Sequence, residues 1–144
     1  MREILFRGKQ EEGRWVEGAY FKHDTVKVCF SSDDPKTRHL IIQDGFCDWG
    51  FEPPIHCVDV DPNTVGQFTG LTDKNGKKIF EGDVLLVSDT DTAIVEYDET
   101  AAMFMAVFGY TDSDYTSLCN QYPDIKIIGN IHDNPELIGG GEGG

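Results

Sequence analysis

Thr64-Val65-Gly66-Gln67-Phe68-Thr69-Gly70-Leu71-Thr72-Asp73-Lys74-Asn75-Gly76-Lys77-Lys78-Ile79-Phe80-Glu81-Gly82-Asp83 is the stretch on which the reading of the chain turns. Val65, Gln67, Thr69 and Leu71 alternate as a strand does. Asp73 to Gly76 is a turn, and Asn75 and Gly76 both tolerate the positive φ of tight hairpins. Lys77 to Phe80 returns. Glu81-Gly82-Asp83 then breaks the chain ahead of the apolar run Val84 to Val87. Gly82 permits the bend, and Asp83 can accept a backbone N–H within it. Asn75, Gly76, Gly82 and Asp83 are therefore read as structural turn residues.

Strand patterns continue on both sides. Upstream they are residues 3–7, Arg14 to Phe21, Thr25 to Phe30, Arg38 to Gln43 and His56 to Val60. His23-Asp24 reads as a turn and Ser31 to Thr37 as a loop. Pro53 and Pro54 exclude a regular element at the end of Asp44 to Pro54. Downstream, Val84 to Ser88, Thr92 to Asp98, Ala102 to Phe108 and Ile125 to Ile131 read as strands. Thr111 to Pro123 reads as a polar loop, and Asp133 to Glu136 as a turn or one 3₁₀ turn. No window carries a helical period. The expected architecture is mainly β: a small N-terminal β-rich unit over 1–61, an SH3-like small barrel over 62–138 and a disordered Gly-rich tail over 139–144.

Composition narrows the function classes. The chain has 144 residues with a net charge of -14. That balance opposes duplex nucleic acid, whose binding rests on Lys and Arg neutralising phosphates. No apolar run approaches the roughly 20 residues of a membrane helix, so no membrane is expected as partner. Met1-Arg2-Glu3-Ile4 carries no apolar signal region, which predicts a cytoplasmic protein. Cys29, Cys47, Cys57 and Cys119 are widely spaced and are expected as free thiols.

Several blocks together resemble the YopX family of phage and prophage proteins. They are Arg2 to Lys9 with Gly13 to Gly18, Val65 to Gly76 with Ile79 to Asp83, and Ile128 to Leu137. The resemblance implies a phage or prophage origin in bacteria, an SH3-like barrel in the C-terminal part and homo-oligomeric assembly. It implies no activity.

Each group of chemistry-bearing residues also has a plainer role. His39, Cys47, His56 and Cys57 are the only soft cluster, but no Cys-x₂₋₄-Cys pair exists, so no zinc site is expected. Asp59, Asp61 and Asn63 copy an EF-hand opening, but Thr64 and Gly70 stand where Gly and Glu are needed. Asp98-Glu99 and Asp112/Asp114 suit exposed acidic turns. Lys74, Lys77 and Lys78 form a local basic spot that precedes a strand, where a P-loop needs a helix. No catalytic constellation emerges, and neither an enzyme nor a cofactor is expected.

Two functions remain. One is a self-assembling structural or protein-interaction module, with a host protein as a second partner. The other is an acidic decoy that presents carboxylates to a host DNA-processing protein. For self-assembly, Ala102 to Phe108 is apolar on both faces. Met103, Met105 and Val107 share the face expected outside the core, to be covered either by residues 1–61 or by another copy of the chain, and are the first interface candidates.

Overall fold

A computed structural model describes residues 1–26, 35–45, 54–109, 115–118 and 124–138. Within them are strands β1 (Phe6–Lys9), β2 (Trp15–Asp24), β3 (Thr37–Asp44), β4 (Ile55–Asp59), β5 (Asp61–Thr72), β6 (Lys78–Phe80), β7 (Asp83–Leu86), β8 (Thr92–Asp98), β9 (Met103–Phe108), β10 (Tyr115–Ser117) and β11 (Lys126–Asn130). One 3₁₀ turn, Pro135–Leu137, follows, and no α-helix occurs among the described residues. The chain forms two compact units. Ile4–Gly66 is the N-terminal unit, and Met1–Glu3 with Gln67–Gly144 is the C-terminal unit. β5 contributes to both and runs through Pro62 and Asn63 without a break.

In the N-terminal unit the strands lie in the order β4-β3-β2-β1, with β5 beside β1. The β1–β2 turn closes where Gln10 N–H donates to Arg14 O and Gly13 N–H to Gln10 O. Register then sorts the side chains, because residues directly opposite share a face. Tyr20 faces Ile41, and Ile41 faces Val58. This face carries the core of Val16, Ile41 and Val60, flanked by Phe6, Tyr20, Val58 and Val65. Phe21, Leu40 and Ile42 belong to the other face.

In the C-terminal unit an antiparallel sheet runs β10-β9-β8-β7-β11, and β6 pairs with the second half of β5. Ile79, Leu85, Val95 and Ile125 form its core, with Leu71, Val87, Phe104, Leu118 and Ile127 against them. The architecture is mainly β, as the alternation predicts. The sheet is open, with β10 and β11 as its end strands.

Several expected boundaries shift. His23 and Asp24 are strand residues, because they face Arg38 and Thr37 across the β2–β3 ladder. A pair of polar residues reads as a turn only until a partner strand claims its backbone. β10 lies in the stretch read as a polar loop. Its pairing of Thr116 with Ala106 and Ser117 with Met105 extends the sheet past β9. Of the expected Thr25 to Phe30 strand, Thr25 and Val26 lie outside β2, and the rest falls outside the described residues. The Gly-rich tail also falls outside them.

Candidate functional site

The β5–β6 turn is built on one carboxylate. Asp73 is only 7% exposed. Its Oδ1 accepts the N–H groups of Asn75 and Lys77, each at 2.9 Å. Its Oδ2 accepts Ile127 N–H at 3.1 Å. Lys74 N–H also donates to Ile125 O. One acidic side chain thus closes the turn and fastens it to the start of β11. Burial pushes the Asp73 carboxyl up, but the N–H donors of Ile127, Lys77 and Asn75, with the Lys77 charge, hold it below its ordinary value. Gly76 lies at φ 79°. Asn75, which would tolerate a positive φ, is not among the positive-φ residues. The Asp73 side chain fixes the turn at Asn75 N–H, so only Gly76 has to take the left-handed conformation.

The second turn works the same way. Gly82 sits at φ 87°. It donates to Val95 O at 2.8 Å and accepts Ile131 N–H at 2.9 Å. Asp83 is 1% exposed, and its Oδ2 accepts Phe80 N–H at 2.8 Å. The half-buried Glu81 carboxyl is pushed up by burial, lowered by Gln67 N–H and pushed up again by the Glu96 carboxylate, with a net rise. At the end of β11, Asn130 Oδ1 accepts His132 N–H at 3.0 Å and Asp133 N–H at 2.9 Å. The blocks Val65 to Asp83 and Ile128 to Leu137, distant in sequence, therefore meet at Gly82 and Ile131.

The remaining sequence candidates scatter. Met103 is 43% exposed and Val107 half-buried, but Met105 is only 7% exposed within the single chain. The three do not form one free outer face. β9 sits between β8 and β10, and the chain itself covers the centre of both its faces. Lys74 and Lys77 are exposed, while Lys78 Nζ lies 3.8 Å from Glu3 Oε1 and 5.7 Å from the centroid of the Phe68 ring.

The soft cluster does not assemble either. His39 Nδ1 lies 2.6 Å from Tyr20 Oη in a hydrogen bond, whereas His56 and Cys57 are exposed on β4. Cys29, Cys47 and Cys119, like Asp112 and Asp114, lie outside the described residues. Asp59 takes a two-pronged hydrogen bond from Arg38 at 3.0 and 2.6 Å, and Asp61 Oδ1 accepts Asn63 N–H. Asp98 Oδ1 accepts the N–H groups of Thr100 and Ala101. Among the described residues no three His, Cys, Asp or Glu side chains are placed to hold a metal ion.

Two features of the N-terminal unit escaped the sequence reading. One is an open cleft of about 550 Å³ beside the β1–β2 turn, lined by Lys9, Gln10, Glu11, Gly13, Asp59, Val60, Asp61 and Thr64. Thr64 Oγ1 accepts Lys9 N–H and donates to Asp61 O at its wall. The other is the sheet face away from the core. Phe21 is 49% exposed there and Ile55 71%, with Ile42 half-buried between their strands. The available signal was Leu40-Ile41-Ile42, apolar on both faces of one strand.

The fold and site define a two-unit antiparallel β protein whose two turns are each held by a buried aspartate that accepts backbone N–H groups. Residues 5–139 match the family model described as YopX protein, and the chain belongs to that family. A similar solved structure is that of protein EF1440 from Enterococcus faecalis, at 22% identity and a TM-score of 0.51. The match covers 96% of this chain and 99% of that one, and it shows a shared fold. No curated protein matches.

Proposed function

We propose that this chain is a phage- or prophage-encoded structural or protein-interaction module that assembles with itself and works in the bacterial cytoplasm without catalysing a reaction. The observation that carries this reading is a pair of exposed apolar side chains, Phe21 and Ile55, on the face of the N-terminal sheet that also holds the buried Leu40. In a chain with a net charge of -14 such a surface stands out as a place for protein contact. A host protein is a second partner of the same kind. For 62–138 we infer the SH3-like barrel. Its support is a set of short antiparallel strands around one core, Ile79, Leu85, Val95 and Ile125.

The decoy reading draws less support. A decoy needs carboxylates facing a partner, but Asp61, Asp73, Asp83 and Asp98 all accept backbone N–H groups of their own turns. No helix among the described residues is long and apolar enough to cross a membrane. Sedimentation over a dilution series tests the module. Species heavier than one chain, dissociating on dilution, are expected. A single monomeric species at every concentration contradicts it.

A further inference from the structure

We propose that β4 joins two copies of this chain, paired antiparallel about a two-fold axis at Cys57. The inference rests on the self-assembly reading and names its contact. β4 ends the order β4-β3-β2-β1, and among the described residues no strand lies on its far side. Its backbone directions follow from two hydrogen bonds. Val60 N–H donates to His39 O, and Pro54 O accepts Gly45 N–H. Even-numbered residues here therefore turn toward β3. Strand backbones alternate, so Ile55, Cys57 and Asp59 present their N–H and C=O groups outward. A strand with such a row is a template for another strand.

The side chains of that row suit a second copy of the chain. A two-fold axis at Cys57 sets Cys57 against Cys57 of the second copy and Ile55 against its Asp59. Each opposed pair is a doubly bonded one, giving about six hydrogen bonds in all. Two copies of a chain with a net charge of -14 repel wherever their carboxylates meet. Here they do not meet. Asp59 faces an isoleucine and is already neutralised by the Arg38 guanidinium, at 2.6 Å. Ile55 to Val58 carries no acidic residue. The usual guards of an open edge, a lysine, a proline or a bulge, are missing from β4, whose register with β3 runs unbroken from Ile55 to Asp59. Ile55 and Cys57 are both exposed, so pairing needs no rearrangement of the core.

Cross-linking tests this directly. In a Cys29→Ser, Cys47→Ser, Cys119→Ser chain, mild oxidation should give a covalent dimer through Cys57. The opposed Cα atoms would lie about 5.5 Å apart, within the span a disulfide bridges. In the otherwise native chain, Ile55→Lys should lower the mass in solution while leaving the circular dichroism of the fold unchanged. A native chain heavier than a monomer, with no Cys57 cross-link and an unchanged mass for Ile55→Lys, overturns the β4 contact and leaves self-assembly standing. So does a β4 that pairs only with a strand of a different protein. A native chain with the mass of one copy overturns both.

Discussion

At the scale of single residues, carboxylates act as acceptors for backbone N–H groups. Asp73 serves three such donors. Asp73→Ala leaves them without that acceptor and should cost about 1–3 kcal/mol, read from denaturant unfolding. Because the folded carboxyl titrates below its unfolded value, the stabilisation is present above the unfolded value. It disappears as pH falls from about 4 through the lower folded value. Asp73→Asn should therefore flatten the acid limb of the stability profile; an acid limb identical to that of the native chain would show that Asp73 does not set it. Glu81 has the opposite sign. Its folded carboxyl is raised, so the folded state binds more protons and loses stability as pH rises through the window above about 4.3. Glu81→Gln should be more stable than the native chain at neutral pH, with melting temperature as the readout. A lower melting temperature there would mean that the charged form is favoured by contacts that outweigh its burial.

At the scale of elements, the β5–β6 hairpin and the bend into β7 carry the C-terminal unit. Gly76→Val places a β-branched residue at φ 79° and should destabilise by about 1 kcal/mol or more. Open space surrounds that position, with no atom within 4 Å of where the new Cβ would stand, so backbone strain alone would produce the loss. An unchanged melting temperature would contradict this account of the turn. Leu85→Ala, at a fully buried core position, should cost about 2–5 kcal/mol. These elements were legible because their signals are local: alternation, an Asn-Gly turn and a glycine at a bend. β10 was not, since Tyr115-Thr116-Ser117 becomes a strand only through its pairing with β9. For the same reason Met105 could be assigned to the second face of β9 but not to its cover. Alternation says which residues share a face, not what covers it. Leu40 and Ile41 are both buried, on opposite faces of β3, and only the packing of Ile41 with Val16 and Val60 shows which face carries the core cluster. Nothing local in Asp73 announced a bond to Ile127, 54 residues on.

At the scale of the whole molecule, charge and apolar surface oppose each other. A net charge of -14 keeps copies apart at low salt. The exposed Phe21 and Ile55 favour bringing them together. Screening over about 10 Å at 0.1 M salt should therefore strengthen assembly rather than weaken it. The most direct measurement is the mass of the purified chain by light scattering at micromolar concentration, in low salt and again at higher salt. The account predicts a multiple of 16.1 kDa that is better populated at the higher salt. A mass of 16.1 kDa under both conditions would contradict it.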